Sequence, residues 1–312
     1  MKKLSTAKNL TIALLVFVFS FSTIVSAGPP LPTHNVEGTS GVFITSTAYL
    51  ANPAEEGTVF GKPSVSGTFV WMDKGEKDFE SLAVTENIWG NVELGYALER
   101  IGLGDWPDAV SNATLGVVHV DNHVLMHNFN ARLMVIEEGG FDEEWMPAVT
   151  LGAHFKWNDG HNDINKQTGG LCDMLGVDHD SGTEFTAVAT KTIANWLPRP
   201  IIVTAGLRNG DAIHTGLLGF AGERRTTFEG SIIYFLTDNL LLASEYRQKP
   251  NLCDQFSLGG EHLIKAENDW WDIALAYVVN DRLTIAGGYA DFGNVLNHRE
   301  DNSWAVQVKY EF

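Results

Sequence analysis

The sequence predicts an all-β protein, a single antiparallel transmembrane β-barrel of about twelve strands, with short turns at one end and long loops at the other. Three observations predict this fold. Most of the chain after Lys62 alternates apolar with small or polar residues, which is the period of a strand with one apolar face. The links between these segments alternate between short and long. Beyond the first 27 residues, no apolar run is long enough for a transmembrane helix.

The first 27 residues are predicted to be a secretory signal peptide. Three lysines among the first eight residues form a positive region, an apolar stretch covers 10–21, and small residues end at Ala27, where we predict cleavage. The apolar stretch is short for a membrane anchor. Cleavage removes three lysines and no acid, so the formal net charge changes from −18 to −21. An exported chain this acidic argues against nucleic acid as a partner, because nucleic-acid binding favours a basic surface.

Twelve segments are predicted to be barrel strands, which together form a barrel over residues 62–312. Segment 92–100 shows the pattern clearly, with apolar residues at even positions and small or charged residues at odd ones. Segment 183–192 shows it least clearly, because Ala187 and Ala189 give it a thin apolar face. The predicted strands are 64–72, 79–89, 92–100, 124–136, 147–157, 183–192, 200–208, 227–236, 240–248, 270–279, 282–291 and 303–312.

The last predicted strand alternates without interruption from Ser303 to Phe312. Its even positions are large and apolar, and its odd positions are small or polar. A final strand that ends on Phe312, with Tyr310 two positions earlier, resembles the carboxy-terminal strand of Gram-negative outer-membrane β-barrels. The resemblance implies a location in the cell outer membrane. It also implies two partners, the lipid of that membrane and the barrel assembly machinery, which would recognise the strand through Phe312.

The links between the predicted strands give the barrel a direction. Counting back from Phe312 at the periplasmic end, the short links fall on the periplasmic side, and their Gly, Asn and Asp residues suit tight hairpins. Two links depart from the rule, since 73–78 is external but short and 137–146 is periplasmic but long. An even number of strands, with both ends in the periplasm, is typical of outer-membrane barrels. The predicted long external links are 101–123, 158–182, 209–226, 249–269 and 292–302.

Residues 28–61 precede the first predicted strand. Their start, 28–32, is rich in proline and cannot form regular structure. The stretch Val42–Leu50 could be a further strand, but Ala51-Asn52-Pro53 ends it abruptly. We therefore predict that residues 28–61 form a periplasmic segment or a plug that enters the lumen.

Particular residues near the amino terminus carry a second resemblance. They are Gly28-Pro29-Pro30-Leu31, Asn35, Glu37-Gly38, Gly41 and Ala48-Tyr49-Leu50-Ala51-Asn52-Pro53. This stretch is similar to the amino terminus of a proteobacterial family of outer-membrane proteins with no assigned activity. The resemblance implies a barrel in the same cell envelope, and it supplies no function or site residue.

A soluble all-β sandwich or lipocalin-like barrel is the alternative to a membrane barrel. Such a protein also alternates, but its apolar face is its core. In this chain the less apolar face is mostly Gly, Ala, Ser and Thr, which could not fill a core. The apolar face ends in aromatic residues, as expected for girdles at a membrane interface. These residues are Trp71, Tyr96, Tyr234, Tyr246, Trp271, Tyr277, Tyr289, Trp304 and Tyr310.

The polar strand faces predict a charged lumen. Carboxylates and cations are near balance there, so they either pair to fill a narrow barrel or line a path for a solute. The predicted lumen-lining residues are Glu93, Glu99, Arg132, His154, Lys156, Arg208, Glu229, Glu245, Arg247, Asp272, Lys309 and Glu311.

Two further features of the external loops suggest chemistry. Cys172 and Cys253, the only cysteines, fall in loops on the same predicted side, and the envelope permits disulfides, so we predict a bridge between them. The loop 158–182 is rich in Asp and His, but its spacing matches neither a calcium loop nor a zinc helix motif. We interpret it as a solvated acidic loop and predict no metal site and no cofactor.

Three functions follow from these patterns. The first is passive transport of a small solute through a narrow, porin-like channel. The second is a closed structural barrel that presents its acidic external loops to a partner. An outer-membrane hydrolase is a distant third, because the chain has no Gly-x-Ser-x-Gly motif and Ser244 has no neighbours that complete a triad. We therefore predict that the protein is not an enzyme.

Overall fold

Twelve antiparallel strands close into a barrel in the computed structural model, which describes residues 33–194 and 196–312. Each strand pairs with its chain neighbours, and the last pairs with the first, with Val306 opposite Phe69. The predicted fold is confirmed, whereas the predicted signal peptide lies outside the described residues. The strands are β1 (Ser64–Met72), β2 (Lys77–Ile88), β3 (Val92–Gly102), β4 (His123–Ile136), β5 (Ala148–Asn158), β6 (Ser181–Ile193), β7 (Ile201–Ala212), β8 (Phe220–Phe235), β9 (Leu240–Arg247), β10 (Trp270–Val278), β11 (Leu283–Asp291) and β12 (Ser303–Glu311).

All twelve predicted segments contain a barrel strand, and the largest difference in length is at β7 and β8. These strands pair beyond the predicted ends, and β8 begins at Phe220, before a register shift between Phe220 and Arg225. The added residues include Glu223, Arg224 and Arg225, so they carry charge on both faces and do not alternate. The sequence pattern therefore ended where the apolar face ended, although the hairpin continues.

Outward side chains form an apolar belt around the barrel. Along β10, for example, Ile273 and Leu275 are 44% and 48% exposed, while Ala274 between them is buried. Strand pairing aligns Trp304 with Trp71 and with Tyr289, so large aromatic rings lie side by side near one rim. A closed barrel with such a belt pairs its backbone groups between strands, as lipid requires. This is the architecture of an outer-membrane β-barrel.

Short helices and hairpins cover the external end. The helix Trp106–Ala113 has Pro107 in its first turn, where the missing N–H costs no hydrogen bond, and Trp106 Nε1 donates to the Leu263 carbonyl at 2.9 Å. None of the helices in the described part of the chain is both long and apolar enough to cross a membrane. The other elements there are helices His161–Gln167 and Leu171–Met174, the 3-10 helix Ile213–Gly216, and hairpins Phe256–Leu258 with Glu261–Ile264 and Asn294–Val295 with His298–Arg299.

Residues 33–51, which we call the plug, lie inside the barrel and are all buried. The regular structure in the plug is a hairpin of two strands with two residues each, His34–Asn35 and Thr39–Ser40. The possible strand at Val42–Leu50 does not form. The chain then leaves the lumen and pairs with the periplasmic end of β2, where Gly61 N–H donates to the Asn87 carbonyl at 2.8 Å. In this structure residues 33–51 are therefore surrounded by the barrel wall, and the role of the whole segment 28–61 stays a prediction.

Candidate functional site: the plugged lumen

The predicted lumen-lining residues all lie on inward strand faces. Eleven of the twelve side chains are buried, and Glu311 is partly exposed at the periplasmic rim, where its carboxylate is 2.7 Å from Lys309 Nζ. Their placement follows from the alternation alone, because odd and even positions of a strand face opposite sides. Their part in transport stays a prediction.

Glu245 of β9 anchors one turn of the plug. Its carboxylate accepts hydrogen bonds from the backbone N–H groups of Phe43, Ile44 and Thr45, at 2.7, 3.1 and 2.8 Å, and from the Thr45 hydroxyl at 2.5 Å. Three consecutive N–H groups that converge on one carboxylate form an anion-binding turn. Because the carboxylate is buried, these bonds are what compensates for the loss of its hydration.

Glu93 of β3 and Arg132 of β4 bind the plug backbone on both sides of the turn 43–45. Glu93 accepts from Ser40 N–H at 3.1 Å and from Ala51 N–H at 2.7 Å. Arg132 forms an ion pair with Glu93 at 2.7 Å, and its guanidinium also donates to the Thr47 carbonyl. The pair therefore satisfies both donors and acceptors of the plug backbone from adjacent strands.

Glu37, a plug residue, is the centre of the largest charge cluster. Its carboxylate lies 2.5 Å from Lys156 Nζ, 2.9 Å from Arg208 Nη2 and 3.1 Å from Arg247 Nη1, cations of β5, β7 and β9. Sequence analysis missed this role. Histidine apart, Glu37 is the single charged residue between Gly28 and Pro53, and that isolation was the available signal.

Glu184 of β6 was missed as well. It is buried, pairs with Lys156, and lies 3.0 Å from Arg208 Nη1. The residue falls on the polar face of the predicted segment 183–192, so the same alternation that placed the other lumen residues would have placed it. The thin apolar face of that segment hid the assignment.

The start of the plug is held by uncharged groups. Gln307 of β12 accepts from His34 N–H at 3.0 Å and donates to the His34 carbonyl at 2.8 Å, as a neighbouring strand would. The His34 ring lies between the hydroxyls of Ser66 and Thr85, at 3.0 and 2.7 Å. Opposite, Gly95 makes room for the plug, because a Cβ there would overlap the Gly38 carbonyl oxygen.

An external loop, residues 213–217, closes the lumen from the other side. Asn158 Nδ2 donates to the carbonyls of Gly216 and Leu217, both at 2.9 Å, and Lys156 Nζ donates to the Thr215 carbonyl at 2.9 Å. Burial lowers the pKa of His214 to about 4, although the Glu267 carboxylate is 3.2 Å from Nδ1, so the ring is neutral at pH 7. Plug and loop together leave the barrel blocked in this structure.

The predicted disulfide and the acidic loop lie outside this lumen. Cys172 and Cys253 have free thiols in the structure but border one cavity under the external loops, so the bridge stays a prediction. Within residues 33–194 and 196–312, no group of three His, Cys, Asp or Glu side chains is arranged to hold a metal ion. His161 of the loop 158–182 is buried and packs beneath the loops.

Several solved outer-membrane proteins are similar to this barrel. The KdgM porin matches with a TM-score of 0.47 and 9% identity, over 80% of this chain and 99% of that chain. The NanC porin gives 0.46 and 9%, over 80% and 100%. The COG4313 outer-membrane channel from Pseudomonas putida F1 gives 0.47 and 9%, over 84% and 98%. Likenesses this distant, with TM-scores below 0.5, carry no argument about function.

No curated protein sequence matches the chain. The amino-terminal residues predicted a family without an assigned activity, and that prediction is confirmed. The model of the family described as "Protein of unknown function (DUF3034)" matches residues 32–309, which is most of the chain, so this chain belongs to the DUF3034 family.

Proposed function

We propose that this protein is an outer-membrane channel for a small solute, held closed by its own plug. The observation that carries the proposal is the polar contact between plug and wall, in which Glu93, Glu245 and Gln307 bind backbone groups of the plug. Water forms hydrogen bonds of the same kind, so it can replace these partners when the plug moves.

The wall behind the plug supports the same proposal. Once residues 33–51 leave, buried side chains of both signs, such as Glu93 and Arg132, would face an aqueous path. A pore lined by mixed charges discriminates among solutes by charge and hydrogen bonding. The lining therefore fits passage of a small polar or charged solute.

We also propose that the chain reaches the outer membrane by way of the signal peptide, cleaved after Ala27. The positive, apolar and small-residue regions of 1–27 support this route. Protein purified from the envelope should begin at Gly28 by intact mass, and a chain that keeps residues 1–27 would contradict it.

A closed barrel that presents its external loops to a partner is the second candidate. One observation favours it: the plug fills the periplasmic side of the lumen, and loop 213–217 blocks the external side. On this view the lumen charges serve only to hold the two segments in place.

Conductance in planar bilayers separates the two candidates. The test variant is Glu245→Gln, which keeps the shape of the side chain but removes the charge that binds Phe43, Ile44 and Thr45. The matched control is Glu99→Gln, a buried carboxylate that forms no hydrogen bond or ion pair with the described plug residues. We expect rare openings in the wild-type protein and in the control, and frequent conductance steps in Glu245→Gln.

The opposite result is also informative. If protease reaches the plug of Glu245→Gln while no conductance step appears, the proposal of a channel is contradicted and the proposal of a closed barrel is supported. Steps of equal frequency in both variants would show that the Glu245 contacts do not hold the gate.

A further inference from the structure

The wall cations around Glu37 outnumber the wall carboxylates beside them. We call these cations the cation triad: Lys156, Arg208 and Arg247. Among the described residues, the wall carboxylates within 4.0 Å of the cation triad are those of Glu184 and Glu229. The Glu37 carboxylate adds the third negative charge, and all of these side chains are buried. Because a buried charge without a partner is unfavourable, the wall requires a carboxylate at this point, and the plug supplies it.

Arg247 holds the Glu37 carboxylate in the geometry that is typical of arginine and carboxylate pairs. Its Nη1 lies 3.1 Å from Oε2 of Glu37 and its Nη2 lies 3.4 Å from Oε1, so the two planar groups meet as a fork. Lys156 Nζ donates to the same Oε1 at 2.5 Å. A planar anion with two oxygens contacts both arms of this fork, which a single chloride ion cannot do.

One donor beside Glu37 is not used. Arg208 Nη2 lies 2.9 Å from Oε2 of Glu37, but it has no acceptor in hydrogen-bonding geometry among the described residues. The Glu37 carboxylate is fixed to the plug backbone, which limits how it can turn toward Arg208. A free carboxylate has no such link, so it can accept from this donor as well. The wall therefore offers a solute carboxylate one hydrogen bond that Glu37 does not take.

Lys156 connects this site to both segments that close the lumen. Its Nζ donates to Glu37 of the plug at 2.5 Å, to the Glu184 carboxylate, and to the Thr215 carbonyl of loop 213–217 at 2.9 Å. Thr215 has a φ angle of 64°, a region that β-branched residues rarely adopt, and such strain is common at clamps and switches. The Glu37 site therefore lies directly beneath the loop that a solute from outside must pass.

We propose that the cation triad is a binding site for the carboxylate group of a small anionic solute, and that Glu37 occupies this site as an internal substitute. A solute that passes loop 213–217 takes over the contacts that Glu37 makes with the cation triad. The wall keeps its balance of charge, while the plug loses one of its anchors, so the solute itself favours opening. This proposal rests on the channel proposed above, since it names the chemical class of the solute.

Chemical rescue of the full mature barrel in lipid nanodiscs tests the site. Glu37→Ala removes the heavy atoms of one acetate ion from the plug and leaves a space of that shape beside the cation triad. Acetate is the probe, acetamide is its uncharged match, and chloride at equal ionic strength is the control for salt. Glu37→Gln is the matched variant, because it loses the same charge but leaves no room for acetate. The readout is cleavage by chymotrypsin after Phe43 or Tyr49 of the plug.

In chloride we expect the plug of Glu37→Ala to be cleaved about tenfold faster than that of the wild-type protein, as the loss of a hydrogen bond to a charged group predicts. Acetate should restore the protection of Glu37→Ala, whereas acetamide should not. Acetate should leave Glu37→Gln unprotected. In Glu245→Gln, whose plug has lost another anchor, acetate should have the opposite effect and speed cleavage, because there it competes with Glu37.

Several results would contradict the proposal. Protection of Glu37→Ala by chloride or acetamide as strong as that by acetate would show that the site does not recognise a carboxylate. No protection by acetate would show that the site takes no carboxylate from solution. Unchanged cleavage of Glu245→Gln in acetate would show that a solute does not displace Glu37. If Glu37→Ala folds poorly, the yield of folded barrel in each of the three solutions gives the same comparison.

Rescue and conduction are measured separately, so the two proposals can fail separately. Rescue of Glu37→Ala by acetate, without any conductance step in Glu245→Gln, would support the carboxylate site and contradict the channel. Conductance steps in Glu245→Gln, without rescue of Glu37→Ala, would support the channel and contradict a carboxylate as its solute.

Discussion

At the scale of single residues, Gly95 decides how closely the plug approaches the wall. A Cβ at this position would overlap the Gly38 carbonyl oxygen and the Asn130 side chain, whose amide donates to the carbonyls of Glu37 and Gly38. The smallest possible substitution therefore displaces the plug next to its central charge cluster. Because the Gly38 backbone cannot rotate away as a flexible side chain can, a small local movement cannot relieve the overlap.

Gly95→Ala should therefore loosen the plug and lower the free energy of unfolding by about 1–3 kcal/mol, the usual cost of overpacking. Gly67→Ala is the control, because no atom lies within 4 Å of a Cβ built there. Its effect should stay within about 0.5 kcal/mol, as for most surface changes. Urea unfolding measures the change in the free energy of unfolding, and protease cleavage within residues 33–51 measures the loosening of the plug. Equal cleavage in the two variants would show that Gly95 does not bear on the plug.

At the scale of elements, the strands could be predicted from the sequence and the plug contacts could not. In a strand such as β3, successive residues face opposite sides of the sheet. The alternation of apolar and polar residues therefore placed Glu93 and Glu99 inward without any knowledge of their partners. The plug has no period. Its contacts, such as Gln307 with His34, join residues 273 positions apart and depend on the closed barrel as a whole.

The external loops show the same division. The two cysteines were predicted to lie on one side, and the structure places both beside one cavity under the external loops. Nothing in their spacing could give their distance or their burial. We retain the disulfide as a proposal, and mass mapping of non-reduced protein from the envelope decides it, since two free thiols there would contradict the bridge.

In reduced protein, the half-buried thiol of Cys172 and the buried thiol of Cys253 should react slowly. Burial raises the pKa of Cys172 to about 11 and that of Cys253 to about 12, and the thiolate is the reactive form. In the folded protein the alkylation rate should rise about tenfold per pH unit and should still be rising at pH 10. Unfolded protein should level off above about pH 9, near the ordinary thiol pKa. Iodoacetamide labelling followed by mass gives both profiles, and identical profiles would show that the loops do not bury these thiols.

At the scale of the whole molecule, the barrel has two surfaces with opposite requirements. The lumen holds buried charges of both signs around the plug, whereas the outer surface presents Leu, Ile, Val and Phe between aromatic rims. The outer pattern would be a liability in water, where large exposed apolar patches cause association. In a bilayer it is the stabilising surface, and the excess of acidic over basic residues is left to the loops, the rims and the lumen.

The depth of a charge along one strand therefore tests the placement in the membrane. Leu275 lies on the outward face of β10 between Trp271 and Tyr277, and Val279 lies beyond Tyr277 at the periplasmic rim. Leu275→Arg should cost about 2–4 kcal/mol in phospholipid vesicles, and Val279→Arg about 0–1 kcal/mol, because the penalty for arginine falls from the midplane to the interface. The measurement is urea unfolding of the barrel refolded in vesicles. Equal costs at the two positions, which are 48% and 44% exposed, would mean that the belt does not face lipid.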